Sequence, residues 1–516
     1  MKGTFLAASC VALSFVIGLD GEAYAQQTKV NGNIDRSASL RFVWVAAPAA
    51  FDPPFGKNQF QVTSYGFPIY DSLVRLDAHG NVVPDLATSW EFSSDGLTLT
   101  MHLRKGVKFT DGSEMNAAAI VKSLNRSKTD PGSLVKRDLS SFDSFEAKDP
   151  STVVLRLNIP DANVLYTLAT SAGMIVSGKA IDDGVDLSSK PVGTGPYKLV
   201  SSGPQGAVYE RNEDYFDKSQ NQFAKVTIAP IVDVAARMNA VRSGQADAGF
   251  FQADQWAEIQ ALVATGKFKV HSVMQPNSLP IWFNTKIKPL DNPKVRMALN
   301  LAIDRDAINK GIQGGQCQPA SQPLQPGVVG HDSKLIPYKH DVAKAKQLLQ
   351  EAGVGPFTIE TLVSIQEPLA SVGIAVKEQL KAIGVTMNII PTGSSAIRPD
   401  FRAGNHGAMI QTLSVPAPDP ASIIDAIYMG PDNPGGVTPE FAKAVTDART
   451  KKIGSPEREA AYKAVSKMAY DDPRQIFVCW SPIMIVYRKD LTGVEQTAYI
   501  NAVPIPDIRT YGLLKQ

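Results

Sequence analysis

One alternating stretch constrains the fold of this chain more than any other part of its 516 residues. At residues 97–103, leucine and methionine alternate with threonine and histidine, the period-two pattern of a strand with one buried face. A turn at residues 94–96 joins this strand to a segment carrying Trp90 and Phe92, so a hairpin is predicted. After a second turn, Asn116 is the expected N-cap of a helix. This helix is predicted to bury Ile120, Val121 and Leu124.

The same α+β unit carries a family resemblance. The runs YDSLVRLD, VPDLATSW and DGLTLTMHLRKGVKFTDG, all within residues 70–112, closely resemble the signature of the family 5 extracellular solute-binding proteins. Similar matches occur at GTGPY (193–197) and DNPKVRMALNLAIDRDAI (291–308). The resemblance extends from residue 40 to about residue 486. It implies a receptor of an ABC importer for peptides, opines, sugars or nickel.

The resemblance also implies the architecture. The expected class is α/β, with the two-lobed periplasmic-binding-protein fold (type II, large cluster) and an extra α+β subdomain inserted in the first lobe. The expected segments are a signal peptide (1–25), lobe I (26–60, 190–274 and 485–516), the inserted subdomain (61–189) and lobe II (275–484). Two crossover segments join the lobes, near residues 273–279 and 481–486.

The first 25 residues have the features of a signal peptide. Lys2 supplies the positive charge, residues 5–19 are apolar, and Ala23 and Ala25 are the small residues that precede a cleavage site. Cleavage is therefore predicted before Gln26, and the mature protein is expected in a periplasm. The apolar run is too short to be a stable transmembrane helix.

Two cysteines remain in the predicted mature chain, Cys317 and Cys479. An even number of cysteines in an oxidising compartment is compatible with a disulfide. Two buried free thiols explain the same pair equally well, and the sequence leaves both possibilities open.

The sequence offers no constellation for catalysis. Motifs of serine hydrolases, zinc peptidases and P-loop enzymes are absent, and the six histidines are scattered without ligand spacing. The glycines at 193–195 fit a tight turn opening a strand better than a phosphate loop. The net charge of +2, without a basic run, gives no sign of nucleic-acid binding. We therefore predict a monomeric binding protein without cofactor or bound metal.

A solute-binding cleft needs aromatic surface and a few oriented polar groups. The resemblance places the loop after the first strand at the cleft, together with the strand that enters the second lobe. Trp282 and Phe283 alternate on that strand, so only one of them can face a cleft. The predicted ligand-binding residues are Ala47, Pro48, Phe51, Phe251, Trp282, Asn284, Glu367, Ala417 and Asp419.

Two departures from the family pattern bear on the solute. Peptide-binding relatives hold the ligand's ammonium group with an aspartate after Gly-Trp, whereas residues 413–420 here read LSVPAPDP. Dipeptide-binding relatives hold the ligand's carboxylate with an arginine in a loop where this chain has Glu367. Two interpretations of Glu367 are open, that it faces the ligand or that it is a solvated loop residue. A carboxylate there would repel an anionic ligand.

A free dipeptide is therefore not expected, and a longer or modified peptide or another neutral or cationic solute fits better. The expected partner of the loaded receptor is an inner-membrane ABC permease. The alternatives are a receptor for an opine, an oligosaccharide, nickel or a metal chelate. From other classes, a periplasmic chaperone or a secreted hydrolase remains.

Overall fold

A computed structural model describes residues 33–48, 50–56, 59–161, 163–412, 419–452, 454–497 and 507–515. The predicted signal peptide and Ala417 lie outside these described residues. Within the described part of the chain, no helix combines the length and apolar character needed to cross a bilayer.

The described residues form nineteen strands. They are β1 (Ser39–Trp44), β2 (Val74–Leu76), β3 (Val82–Pro84), β4 (Ala87–Phe92), β5 (Thr98–Leu103), β6 (Phe142–Asp149), β7 (Thr152–Leu157), β8 (Tyr197–Gly203), β9 (Gly206–Arg211), β10 (Lys225–Pro230), β11 (Ala248–Gln252), β12 (Phe268–Phe283), β13 (Gln318–Pro319), β14 (Phe357–Ser364), β15 (Val385–Thr392), β16 (Ala408–Ile410), β17 (Gln475–Arg488), β18 (Leu491–Thr492) and β19 (Gly512–Leu513).

Fourteen α-helices accompany them in the same residues. They are α1 (Gln59–Gly66), α2 (Ala117–Thr129), α3 (Val164–Leu168), α4 (Gly178–Asp182), α5 (Val234–Arg242), α6 (Trp256–Val263), α7 (Pro293–Leu301), α8 (Arg305–Ile312), α9 (Val342–Glu351), α10 (Leu369–Lys381), α11 (Ile397–Arg402), α12 (Pro420–Ile424), α13 (Pro439–Arg449) and α14 (Pro456–Asp471).

One large mixed sheet runs through the molecule, in the order β15-β14-β16-β12-β17-β11-β1-β10-β9-β8. The long antiparallel strands β12 and β17 belong to both halves of this sheet. On one side of them, β1 pairs in parallel with β10 and β11. On the other side, β14 pairs in parallel with β15 and β16. The two halves are the two lobes of an α/β fold, as predicted.

A separate four-stranded sheet, β4-β5-β7-β6, forms the extra α+β subdomain. Its strand β5 buries Leu99, Met101 and Leu103 and exposes His102, which confirms the predicted alternation. The β4–β5 hairpin and the Asn116 cap of α2 also form as predicted, with Asn116 accepting the amide of Ala119. The subdomain shares one continuous apolar core with the first lobe, so it is packed onto one face of that lobe's sheet.

The GTGPY turn is an architectural element. The amide of Gly195 donates to the carbonyl of Ile69 at 2.8 Å. A Cβ at Gly193 would lie 2.3 Å from that carbonyl oxygen, and one at Gly195 would lie 2.4 Å from the carbonyl carbon. Glycine is required at both positions because only a bare Cα allows two backbones to approach this closely. Thr194 between them donates its hydroxyl to Asp71 at 2.8 Å.

Asp71 belongs to a buried ion cluster centred on Arg509, near the end of the chain. Arg509 donates to Asp71 at 3.0 Å and to the carbonyl of Tyr70 at 3.1 Å, and it lies 3.6 Å from Asp85. Burial and the neighbouring charge of Asp85 raise the pKa of Asp71 to about 7. The cluster therefore ties the C-terminal segment to the start of the inserted subdomain, and Arg509 supplies the cation that makes three buried aspartates, Asp71, Asp85 and Asp507, tolerable.

Replacing Arg509 with methionine is expected to cost about 3–5 kcal/mol of unfolding free energy, because it removes the cation that pairs with three buried carboxyl groups. Arg156→Met is the matched control, since Arg156 pairs with Glu146 on the surface at 52% side-chain exposure. The control is expected to cost no more than about 1 kcal/mol. Urea titration of both variants measures the difference, and equal losses would contradict the assigned role of the cluster.

Cys317 and Cys479 form a disulfide, with their Cα atoms 5.8 Å apart. The sequence left open a disulfide or two buried free thiols, and the structure contains the disulfide. Both residues are buried in the core of the second lobe, where Cys479 lies on β17 and Cys317 lies just before β13. The bond thus fixes the segment after α8 to a strand shared by both lobes.

Replacing both cysteines with alanine is expected to lower the unfolding free energy by about 2–4 kcal/mol, the usual contribution of a disulfide. Urea unfolding with and without reductant checks this. Reductant should bring the wild type close to the double variant and leave the double variant unchanged. Two reactive thiols in the non-reduced, denatured wild type would show that the bond is not formed.

Candidate functional site

The two lobes present the same kind of edge to each other. Strands β11 and β12 both run antiparallel to β17, while β16 runs antiparallel to β12. The carboxyl ends of the parallel strands of one lobe therefore face the carboxyl ends of those of the other. In open α/β sheets, ligands bind in the crevice outside this edge. The cleft between the lobes is accordingly the candidate site.

The crossover pair behind the cleft is irregular at two neighbouring positions. The register of β12 against β17 shifts between Met274 and Ser278, and again between Ser278 and Pro280. Pro280 and Pro482 lie in this region and have no N–H to donate to the ladder. The ladder is weakest where the chain passes between lobes, so this is where the two lobes can rotate with least loss of hydrogen bonding.

The inserted subdomain contacts the second lobe across the cleft. Asn163 donates its side-chain amide to the hydroxyl of Ser422 at 2.5 Å. Nearby, Tyr166 lies close enough to Asp419 and Arg458 for their charges to act on it, and burial is the main reason that the pKa of Tyr166 is raised. We call this the insert side of the cleft.

A cavity of about 510 Å³ lies on the insert side. Its walls come from the β2–β3 turn and α3 of the subdomain, from β12, and from the second lobe. Tyr166, His271, Met274, Asp419, Arg458 and Glu495 are among the lining residues. Its volume is in the range of pockets for small ligands, about 300–1,000 Å³.

The pair Asp419–Arg458 forms a neutral part of this wall. Their side chains are 2.9 Å apart and each is 7% exposed. Asp419 also caps α12 by accepting the amide of Ala421 at 2.8 Å. Burial raises the pKa of Asp419, and the Arg458 guanidinium opposes that shift. Asp419, one of the predicted ligand-binding residues, thus lines the cavity, but its own carboxylate is already engaged.

His271 and Glu495 are two further titratable residues of the cavity wall. Burial lowers the pKa of His271, against the opposing effect of Glu495. A histidine shifted in this direction is neutral at pH 7, and one ring nitrogen can then accept a hydrogen bond while the other donates. The Tyr487 hydroxyl donates to Glu495, which favours the ionised carboxylate despite partial burial.

The opposite face of the cleft, which we call the α6 side, brings carboxylates together. Asp254 follows β11 of the first lobe, and its Oδ1 is buried without a hydrogen-bond partner. Burial chiefly raises the pKa of Asp254, and the charges of Glu367 and Glu258 add to the rise. Because Glu367 comes from the second lobe, a negative charge on each lobe faces the other here.

The predicted residues of the first loop have mixed positions. Ala47 and Pro48 are half-buried directly after β1, at the carboxyl edge. Phe51 is 2% exposed within the core shared with the inserted subdomain, and its amide donates to the carbonyl of Ser188. Glu367 is exposed and accepts the amide of Ser371, so its carboxylate bonds the first turn of α10 as well as facing the cleft.

Three other predicted residues have buried structural contacts. Phe251 packs under α5 and α6, with the guanidinium of Arg237 5.5 Å from its ring centroid. Trp282 is fully buried in the second lobe and donates its indole N–H to the carbonyl of Gln411 at 3.1 Å. Asn284 is also fully buried and donates to the carbonyl of Gly404 at 3.1 Å. In this conformation none of the three offers surface to the cleft.

The structure thus brings Asp419 to the cavity and Ala47, Pro48 and Glu367 to the cleft edges. It adds Tyr166, His271, Arg458 and Asp254, which the sequence analysis did not select. Asp254 was detectable in principle, because it follows a strand that runs toward the carboxyl edge. Tyr166, His271 and Arg458 have no local sequence pattern that marks them, because they come together only through long-range packing.

Metal-binding geometry is not found in the described part of the chain, where no three His, Cys, Asp or Glu side chains are grouped so that they could hold an ion.

Sequence comparison identifies relatives over most of the chain. Residues 81–435 match the family described as "Bacterial extracellular solute-binding proteins, family 5 Middle". A glutathione-binding protein, GsiB, from Pectobacterium atrosepticum is 30% identical over 476 residues, covering 85% of this chain and 88% of its own. A di/tripeptide-binding protein from Pseudomonas aeruginosa is 26% identical over 492 residues, covering 88% and 91%.

Solved structures with the same fold cover nearly the whole chain. NikA from Brucella suis in complex with Fe(III)-EDTA superposes with a TM-score of 0.82 at 21% identity, covering 92% of this chain and 100% of its own. DppA from Helicobacter pylori in complex with the peptide STSA superposes with a TM-score of 0.79 at 23% identity, covering 95% and 100%. Likeness at this level of identity establishes the fold alone.

Glu367→Gln is expected to raise the melting temperature at pH 7 and to leave it unchanged at pH 3. The pKa of Asp254 is higher in the folded protein than in the unfolded chain, so protonated Asp254 stabilises the fold at low pH. This stabilisation is lost as the pH rises from the ordinary pKa of an aspartate through the raised pKa of the folded state. Removing the Glu367 charge relieves part of that loss. The effect should be small and should fade in high salt, because Glu367 is exposed.

Calorimetry at both pH values measures this effect, with Glu91→Gln, an exposed residue of the inserted subdomain, as control. An equal response of the two variants at pH 7 would show that Glu367 and Asp254 do not interact.

Proposed function

The chain belongs to family 5 of the bacterial extracellular solute-binding proteins, and we propose that it captures a short peptide or peptide-like solute for an ABC importer. Closure of the two lobes would surround the solute, and the closed form would deliver it to the permease. The observation that carries the proposal is the cleft itself, in which the carboxyl edges of two parallel strand sets face each other. A cavity of about 510 Å³ lies between the inserted subdomain, β12 and the second lobe.

The size and charge of the cleft support a peptide-like solute of three or four residues that is neutral or cationic. Asp419 and Arg458 compensate each other, whereas Glu495, Asp254 and Glu367 form no ion pair with a cation of the described residues. A solute with a net negative charge would meet these carboxylates on both sides of the cleft. The relatives named for glutathione and for di- and tripeptides are consistent with a peptide scaffold.

The proposed contact residues are those with surface at the cleft. On the insert side they are Tyr166, His271 and Asp419 with its partner Arg458. At the edges they are Ala47, Pro48 and Glu367. Ala417 stays in the proposed set, although it lies outside the described residues. We leave out Phe51, Phe251, Trp282 and Asn284, because their side chains are engaged in the cores or in backbone hydrogen bonds.

The remaining assignments belong to the same proposal. The register shift after Met274 supports the lobe boundary near residue 275, and the opposite strand supports the one near residue 484. The mature chain is proposed to be a periplasmic monomer without enzymatic activity.

The proposal predicts that the right solute raises the melting temperature. Binding only to the folded state stabilises it by about 2.7 kcal/mol at a concentration one hundred times the dissociation constant. A suitable panel contains neutral and lysine-containing di-, tri- and tetrapeptides, glutathione, an opine, an oligosaccharide and a nickel–histidine chelate. We expect shifts with neutral or cationic tri- and tetrapeptides. A shift with the nickel–histidine chelate alone would show that the solute is a metal complex and not a peptide. No shift with any member of the panel would contradict solute binding.

His271→Ala is expected to weaken binding of the best peptide about tenfold, because it removes one hydrogen-bonding group from the cavity wall. The fold should be unaffected, since His271 is only half-buried. His102→Ala is the matched control, because His102 is exposed on β5 of the inserted subdomain. Isothermal titration measures both variants, and an equal affinity for wild type and His271→Ala would remove this residue from the site.

A further inference from the structure

On the α6 side of the cleft, one tryptophan lies against a glycine of the other lobe. Trp256 begins α6, whose residues Ile259 and Leu262 are buried in the first lobe. Gly314 follows α8, whose Ile308 is buried in the second lobe. A Cβ at Gly314 would lie 2.6 Å from the Cβ of Trp256 and 3.2 Å from two of its ring carbons. Any side chain at position 314 would therefore collide with the tryptophan.

The segment that carries Gly314 is held on several sides. Gln313 is fully buried, and its Oε1 accepts the hydroxyl of Ser481 on β17 at 2.7 Å. The amide of Gly315 donates to the carbonyl of Asn309 at 2.9 Å. The Asn309 side chain in turn accepts the amide of Cys317 at 3.0 Å, and Cys317 is disulfide-bonded to β17. The surface that receives Trp256 is thus a rigid part of the second lobe, fixed to the crossover strand.

We propose that Trp256 and Gly314 form an interlobe clasp that favours the closed arrangement of the receptor. A flat indole on a rigid backbone surface gains dispersion and apolar burial only when the lobes are together. The contact also offsets the repulsion between Asp254 and Glu367 on the same side of the cleft. The clasp rests on the proposed closure around a solute, yet it needs no solute to be tested.

Closure can be followed on the opposite side of the cleft by a reporter disulfide. Asn163 and Ser422 touch across the insert side, at 2.5 Å between their polar atoms. In an Asn163→Cys/Ser422→Cys background, the rate of disulfide formation in air reports how often the lobes close, even if the closed form is a minor population. The native disulfide is buried and serves as an internal standard in the mass spectrum.

In this background, Gly314→Ala is expected to slow cross-linking about tenfold, the scale of overpacking by one methyl group. Gly315→Ala is the matched control. Both glycines have positive φ, +56° and +76°, so both variants carry similar backbone strain, but a Cβ at Gly315 meets nothing within 4 Å. We expect Gly315→Ala to cross-link at the rate of the parent.

Trp256→Ala completes a double-mutant cycle. It should slow cross-linking by itself, and adding Gly314→Ala to it should have little further effect, because the colliding partner is gone. Equal rates for Gly314→Ala and Gly315→Ala, or an undiminished Gly314→Ala effect without Trp256, would overturn the clasp. A parent that never cross-links would also overturn it, since the lobes would then not reach the arrangement in which the two residues meet.

The outcome is independent of the solute panel. A receptor that binds a peptide but shows no coupling between positions 256 and 314 retains the proposed function without a clasp. A receptor that shows the coupling but binds no member of the panel retains the clasp and loses the proposed solute class.

Discussion

The antiparallel pair β12–β17 is the constraint on which the rest of the structure depends. The sheets of both lobes extend from these two strands, so the hydrogen-bond ladder between the strands fixes the orientation of each lobe. The ladder holds the lobes in register, and its irregular part in the described residues lies between Met274 and Pro280 of β12, opposite Pro482 of β17. A cleft whose two walls move about a fixed axis follows from this arrangement. The disulfide, the cavity and the Trp256 contact all lie beside this pair.

Sequence patterns predicted the local structure well where one face of an element is buried and the other is exposed. The alternation in β5 and the Asn116 cap of α2 are examples, because each depends on neighbours a few residues away. The same reasoning could not decide which face of a strand meets a ligand. Trp282 and Phe251 lie on strands whose two faces are both covered by other parts of the protein. Alternation along such a strand separates residues of two cores, and it does not separate core residues from cleft residues.

The site residues that sequence analysis missed share one property. Tyr166, His271 and Arg458 come from three parts of the chain that meet only after the inserted subdomain, the crossover and the second lobe are assembled. No spacing in a sequence encodes such a meeting. Gly314 is a further case, because its positive φ resembles that of an ordinary turn glycine. Only the position of Trp256 shows that the missing side chain matters.

Most of the family signature is occupied with structural contacts and meets the candidate cavity only at the β2–β3 turn, and Arg509 shows why. The segment around Tyr70–Asp71, the GTGPY turn and the C-terminal Arg509 converge on one buried ion cluster. Each part satisfies polar groups of the others, so a change in any one leaves a buried charge or donor unpaired. The cleft residues carry no such mutual dependence, apart from the Asp419–Arg458 pair. The architecture therefore constrains the residues of this ion cluster strictly, whereas the residues that line the candidate cavity constrain one another less.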